Sequence, residues 1–456
     1  VIEIQAAKER RHVQPCDPTS LERGVRQCLA DKVSGNLLGL WLLIPEHLRL
    51  GTWDLLCGWT GQAGWRVEPR LALQLVHEAA LCVTGLRLRR TLGQRGFELT
   101  NGLPFVASDA GMHHVLAERT VAQTQQLQVA LGKIRRVSGD YKGTRLAIDP
   151  HRVPSYSKRR MRRRATRQEA KPVKTAQTFF LLDVDTHQPV CFTTGTASRT
   201  ATAAAIELLG LADEILSPAP GESLVLADIE HQTAQLFDHV QSHTPFDLLT
   251  PMARQPSLRK QLRAMAPDAF TRHWAGFATA KRPYRMVHSK TESIVQIVQR
   301  TGELPEDYHL EAFLCSADRN EVEAITRDYP DRWHVEEFFN THQALSWNRA
   351  GTMNLNIRYA QMTMALLAQA VLHRLRGRLG KPYDEWNAAH FATSLLAGLE
   401  GDVRVSQNRI VVTYYNAPHS DQLRSHYENL PEQLASQGID ARVPWLCDYE
   451  LDFRFR

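Results

Sequence analysis

Tyr329 to Phe339 reads YPDRWHVEEFF. Tyr329, Arg332 and Glu336 are spaced by three and then four residues, the interval that stacks side chains on one helix face. Pro330 suits a first helical turn, where its missing N–H would lack an intrahelical partner anyway. Tyr329, as the residue before proline, is expected to be extended, at the mouth of a helix from about Asp331 to Leu345. A guanidinium beside a carboxylate keeps that carboxylate ionised and can also grip a phosphate through two N–H groups. Trp333, Phe338 and Phe339 are expected to anchor the helix in the core. Glu337 neighbours Glu336 but points about 100° away around the helix.

Upstream, two short apolar runs end in an acid: Thr144–Asp149 (TRLAID) and Leu224–Asp228 (LVLAD). A strand end holds a carboxylate rigidly and leaves it open to ligands. Converging carboxylates suit hard divalent cations, which prefer oxygen. Taken singly, an aspartate there is more often a turn former or helix cap. Glu336 as a third carboxylate is what raises Asp149 and Asp228 to candidates. Asp183, Asp185 and Glu230 are competing acids. His151 and His231 lie near the strand ends, where lone histidines are more often structural than ligating.

The intervening pattern is mixed α/β. Thr178–Val184 and Val190–Thr194 read as a hairpin across the turn residues Asp185–Pro189. Helices are expected at Ala201–Ala212 and Thr233–Val240, and a strand at Phe246–Thr250. Residues 251–309 break this rhythm, with strand-like pieces at Tyr284–Val287 and Ser293–Gln299, and read as an insertion. Regular patterning returns at Leu310–Ser316, followed by a long apolar helix, Asn356–Leu375. The tail carries one clear strand, Arg409–Tyr415.

Residues 1–140 read as helical, with 3–4 apolar spacing over Thr19–Lys32, Leu37–Trp59 and Pro69–Arg90. A helix at Ala110–Ala117 and another beginning at Thr120, with the T-x-x-Q capping box to Gln123, suggest a helix-turn-helix. Its second helix would present Gln123, Gln125, Gln126, Gln128, Lys133, Arg135 and Arg136 to DNA. A plain helical hairpin is the competing reading.

Charge is concentrated rather than spread. The chain carries +6 over 456 residues, yet Lys158–Lys174 alone holds nine basic residues and one acid, so the remainder is slightly acidic. Such a run favours a polyanion, nucleic acid above all. The longest apolar run, Leu37–Ile44, stops at Pro45, well short of the roughly 20 residues of a membrane span. No signal-peptide pattern opens the chain, so a cytoplasmic location is expected. The seven cysteines include no C-x-x-C pair; a disulfide framework or zinc ribbon is not expected, and most should be buried.

With Tyr329, Arg332, Trp333, Glu336, Glu337 and Phe338 in this order, and Asp149 and Asp228 upstream, the chain resembles the bacterial insertion-sequence transposases of the DDE type that carry the Y-x2-R-x3-E signature. The family's signature continues with a lysine seven residues after the glutamate; Gln343 stands there, which removes one phosphate contact. The resemblance implies an RNase H-like mixed sheet with flanking helices, Asp149 on its first strand, Asp228 on its fourth and Glu336 on a late helix. It implies two Mg²⁺ or Mn²⁺ ions on this triad, with metal-dependent cleavage and strand transfer at inverted-repeat ends of double-stranded DNA. Tyr329 and Arg332 would grip phosphate near the cut. Lys158, Arg159, Arg160, Arg162 and Arg163 would lie along DNA backbone. No organic cofactor is implied, and a homodimer would synapse two ends. An aromatic of the insertion, Trp274, could stack on a flipped base, although core packing is the commoner fate. The expected organisation is a DNA-binding region (1–140), a catalytic domain in two pieces (141–250 and 310–400), an insertion subdomain (251–309) and a tail (401–456). Two rival readings are an inactive transposase-derived DNA-binding protein and a nuclease without strand transfer.

Overall fold

Leu146, Ala147 and Ile148 are fully buried at the centre of a large mixed sheet. The computed structural model describes residues 18–83, 95–155, 163–166, 169–290, 294–342, 344–345, 347, 352 and 354–456. Lys158, Arg159, Arg160, Arg162 and Gln343 lie outside the described residues; Arg163, exposed, opens the short strand Arg163–Thr166. The chain divides into two compact units, residues 132–340 and residues 1–131 with 341–456.

In the unit of residues 132–340, five strands form the mixed core: β1 (Arg145–Pro154), β2 (Glu169–Asp183), β3 (Gln188–Thr196), β4 (Leu224–Ala227) and β5 (Asp247–Pro251). Their order is β3-β2-β1-β4-β5, with β1, β2 and β3 antiparallel and β1, β4 and β5 parallel. This is the RNase H-like arrangement, and the expected hairpin is its β2–β3 edge. β4 is buried along its whole length, as a parallel strand covered on both faces must be. Helix α1 (Ala201–Leu216) starts at Thr200, whose hydroxyl accepts from Ala203 N at 3.1 Å. Helix α2 (Ala234–His243) is capped by Thr233 in the same manner.

Residues 251–309 do not stand apart as a subdomain of their own sheet. After helix α3 (Pro256–Arg263) come β6 (Thr271–Trp274), β7 (Phe277–Tyr284), β8 (Ile294–Thr301) and β9 (His309–Cys315). These extend the same sheet in the order β5-β9-β8-β7-β6, with β9 antiparallel to β5. Two of these strands escaped the sequence reading: the strand expected at Tyr284–Val287 in fact ends at Tyr284, and β6 is short and exposed, without apolar alternation. Trp274 is 50% exposed and stacks on Phe277 at 4.2 Å, rather than filling the core.

The other unit is helical with a small sheet. Its helices include Pro18–Ala30, Ile44–Leu50, Thr52–Thr60, Val67–Ala80 and Asp109–Glu118. The expected single helix Leu37–Trp59 is broken at Gly51, which takes φ +60°. Leu355–Leu379, buried along most of its length, packs against Val67–Ala80; the expectation had joined it to the catalytic portion. The tail strand Arg409–Tyr414 lies in a four-stranded sheet with Val33–Gly35, Gly401–Ser406 and Glu450–Phe455. No described helix is long and apolar enough to cross a membrane.

The helix Val121–Val137 bears out the capping box: Gln123 N donates to Thr120 Oγ1 at 3.2 Å, and Thr120 N donates to Gln123 Oε1 at 2.9 Å. Its proposed DNA-facing set is corrected in part. Gln128 and Arg135 are fully buried. Arg135 is held by Asp140 Oδ2 (3.0 Å), Gln188 Oε1 (2.7 Å) and the Pro189 carbonyl (3.1 Å). An arginine so enclosed serves the fold, whereas Gln123, Gln126, Lys133 and Arg136 remain exposed. The described cysteines are all free, with Cys191 and Cys315 buried and the other four only partly so.

Candidate active site

Strand register creates the first half of the site. In the parallel pair, Ile148 lies opposite Ala227, so Asp149 and Asp228 are the next residues of two adjacent strands. Neighbouring strands lie about 4.8 Å apart, and laterally paired residues share a face. The two carboxylates therefore emerge side by side where β4 ends; β1 itself stays paired with β2 as far as Pro154, so Asp149 lies within its strand and not at the expected strand end. Asp228 is fixed as the cap of the 3-10 turn Ile229–His231: its Oδ1 accepts from Glu230 N at 3.0 Å and contacts His231 Nδ1 at 2.7 Å.

The second half comes from the YPDRW segment, and here the local geometry departs from expectation. Tyr329 is helical, φ −66° and ψ −40°, not extended. The preceding π turn Ala324–Asp328 runs straight into it, and Tyr329 N donates to Ala324 O at 2.9 Å. The αR region before proline is disfavoured rather than forbidden, and this hydrogen bond outweighs the preference. Pro330–Trp333 then forms a 3-10 turn before helix α4 (His334–His342). Because the turn precedes the α-helix proper, Trp333 faces solvent, 54% exposed, and is not a core anchor. Phe338 and Phe339 are buried as expected and meet Phe180 of β2, with ring centroids 5.9 and 5.4 Å away.

Arg332 joins the two halves. Its Nη1 donates to Asp149 Oδ1 at 2.9 Å, and its Nη2 lies 3.8 Å from Glu336 Oε1. Its positive charge also stabilises Asp228. One guanidinium thus bonds Asp149, lies close to Glu336 and acts on Asp228 through its charge. Burial pushes the Asp149 carboxyl up to about 7; Arg332 pulls it down, but Asp228 and Glu336 push the same way as burial. Burial also raises the Asp228 carboxyl, yet the His231 hydrogen bond, the Glu230 N–H and Arg332 outweigh it and hold Asp228 below its ordinary value. Burial lowers the Arg332 guanidinium, but Asp149, with Tyr329, Asp228 and Glu336, outweighs burial and holds it above its ordinary value. Among the described residues no three Asp, Glu, His or Cys side chains stand close enough together to hold a metal ion. What fits a cation is the donor chemistry: hard oxygens, short of positive charge, already gathered around a side-chain cation.

The competing acids are committed elsewhere. Asp183, fully buried, accepts from Lys142 N, Gly143 N and Thr186 N. Asp185 pairs with Arg145, and Glu230 with Arg152. His151 lies against the Phe339 ring at 4.7 Å. His231, fully buried against Phe179, orients Asp228 through one ring nitrogen and leaves Nε2 without a hydrogen-bond partner.

Two features of this region carried no sequence signal. Arg145, at the start of β1, bonds Asp185, reaches Asp331 Oδ2 at 2.6 Å and lies 3.6 Å from Asp328 Oδ1. It ties the first strand to the segment that delivers Arg332. Beside Tyr329 opens a cleft of about 590 Å³, lined by the apolar Met252, Leu258, Leu262 and Phe313 and by the charged Arg254, Arg259, Arg263 and Glu311. Burial in this region pushes the Tyr329 hydroxyl up, against the pull of Arg332.

Among curated proteins none matches this chain in sequence. Among solved structures, the cryo-EM structure of the piggyBac transposase synaptic complex with hairpin DNA is similar, at 11% identity over 90% of this chain and 87% of that chain, with a TM-score of 0.40. The family model for the transposase DDE domain matches residues 140–370, just over half of the 456 residues and a span that includes all three acids of the site. The chain belongs to the transposase DDE domain family.

Proposed function

We propose that this protein is an active transposase that cuts double-stranded DNA at the inverted-repeat ends of an insertion sequence and joins those ends to a target. The observation that supports this reading is that Asp149 and Asp228 emerge side by side from adjacent strands and that Arg332 links Asp149 to Glu336, residues far apart in the chain. These three carboxylates would hold Mg²⁺ or Mn²⁺. When bound, two such ions would supply an activated water or 3′-OH and stabilise the leaving oxygen. His231 holds the Asp228 carboxylate in one orientation. Arg332 and Tyr329 grip the phosphate beside the cut, and Lys158, Arg159, Arg160, Arg162 and Arg163 add contacts to DNA backbone. Arg254, Arg259 and Arg263 of the adjoining cleft offer further positive charge to the strand. Cutting two ends together calls for two copies of the chain.

The test is a metal-dependent nicking and strand-transfer assay on duplexes bearing the inverted repeats that flank the gene. Nicking in Mg²⁺ or Mn²⁺, followed by joining of pre-cut ends, is expected. Tight binding with no cleavage would overturn the enzymatic reading, and cleavage without joining would make the protein a nuclease only.

A further inference from the structure

We propose that Arg332 and the divalent ions are alternative occupants of the carboxylate cluster, so that Arg332 sets how weakly the DNA-free protein takes up metal and is released to DNA phosphate when metal enters. This rests on the reading of Asp149, Asp228 and Glu336 as ligands.

The Arg332 side chain is only 15% exposed, with Nη1 on Asp149 Oδ1 at 2.9 Å and Nη2 toward Glu336 Oε1 at 3.8 Å. It therefore uses carboxylate oxygens that an incoming ion would need. A guanidinium cannot vacate such a place by losing a proton, because it stays charged at any working pH. It has to move, and like-charge repulsion from the ion drives that movement. The geometry supplies a destination. Tyr329, whose hydroxyl feels the Arg332 charge, lines the basic cleft next to the site. A DNA phosphate in that cleft offers the guanidinium a replacement anion with matching bidentate geometry. Without DNA, the acid that lines this cleft, Glu311, is already paired with Arg254. Metal and DNA then reinforce one another's binding by the same factor, as linkage requires. Arg332 acts on metal uptake through the ligands it occupies and is in this respect a positioning residue.

Calorimetric titration of the full chain with Mn²⁺, in the absence of DNA, tests this. R332Q is expected to bind Mn²⁺ on the order of tenfold more tightly than wild type, the scale on which a neighbouring charge shifts a carboxylate's affinity for a cation. R332K, which keeps the charge, is expected to stay near wild type. R332M repeats the test with an apolar side chain should the glutamine variant fail to fold, and thermal melts report folding in each case. A merely structural Arg332 predicts the opposite, since loosening Asp149 would weaken Mn²⁺ binding. Equal or weaker binding by R332Q and R332M, or no uptake by any of these proteins, overturns the proposal. D149N separates the two levels: if it binds Mn²⁺ like wild type, the ligand assignment itself is wrong; if it loses Mn²⁺ while R332Q is unchanged, only the competition fails.

Discussion

His231 Nδ1 lies 2.7 Å from Asp228 Oδ1, and the histidine ring is fully buried against Phe179. Three residues apart on one tight turn, the pair fixes the second carboxylate of the site before any ligand arrives. Groups that orient a ligand from behind are commonly worth 10–100-fold in metal affinity or activity. His231→Ala should therefore lower single-turnover nicking by on the order of tenfold to a hundredfold while leaving DNA affinity in a gel-shift assay unchanged. Wild-type nicking rates in the variant would show that His231 only fills space.

Replacing any of the three acids removes a carboxylate that Arg332 now balances. D149N, D228N and E336Q should each reduce cleavage by at least about a thousandfold with binding to duplex DNA retained, as expected when one member of a unit that acts together is lost. E337Q serves as the register control and should cut normally. If E337Q is dead and E336Q active, the helix is read one residue out of phase.

Asp149 gives a pH dependence whose sign follows from its environment. Burial, with Asp228 and Glu336 alongside, raises its carboxyl from 3.8 to about 7. Between those limits the folded, ion-free protein keeps a proton that the unfolded chain has released. This group's contribution to stability is therefore largest at low pH, falls as pH rises through the window and levels off above about 7. D149N lacks that penalty, so without divalent ions its melting temperature should gain on wild type from about pH 5 to about pH 8. A gap that stays constant over this range would contradict the raised value.

Arg145 is the internal clamp on the same site. It serves Asp185 and Asp331 directly, with Asp328 close by, and its side chain is mostly buried. Arg145→Ala leaves these acids facing one another and should cost about 2 kcal/mol of stability, the scale of hydrogen bonds to charged groups. Urea denaturation measures this directly. A shift of the midpoint with restored stability in Asp331→Asn would identify Asp331 as the partner that matters most.

Neutralising Arg159, Arg160, Arg162 and Arg163 together tests the basic run. Each phosphate contact contributes about −0.9 to the slope of log affinity against log salt. The fourfold variant should flatten that slope by roughly 3 to 4 units if every one of these arginines touches DNA backbone. An unchanged slope would mean that the run is solvated only.

Much of the unit of residues 132–340 was legible because its signals are local. An apolar run ending in an acid reports a buried strand, which is why β1 and β4 could be placed from TRLAID and LVLAD; the acid marks the strand end at Asp228, whereas β1 runs past Asp149 to Pro154. The Thr120–Gln123 capping box is likewise a matter of four consecutive residues. By contrast, β6 and β7 have no clean alternation, and their membership in the main sheet follows from β9 pairing with β5.

The sequence by itself determined the strand and helix inventory around the three acids, their order, and the concentration of charge near residue 160, because propensity, period and charge act over a few neighbouring residues. Only the tertiary structure decided which charges are spent inside the fold. Arg135 faces Gln188 and Pro189, Arg145 faces Asp185 and Asp331, and Trp333 turns to solvent on a 3-10 turn. Partners 40 to 186 residues away supply those interactions, and no local pattern encodes which distant strand or turn a side chain will meet. The same holds for Arg332 among Asp149, Asp228 and Glu336: spacing put it beside the glutamate, but strand pairing brought the aspartates to it.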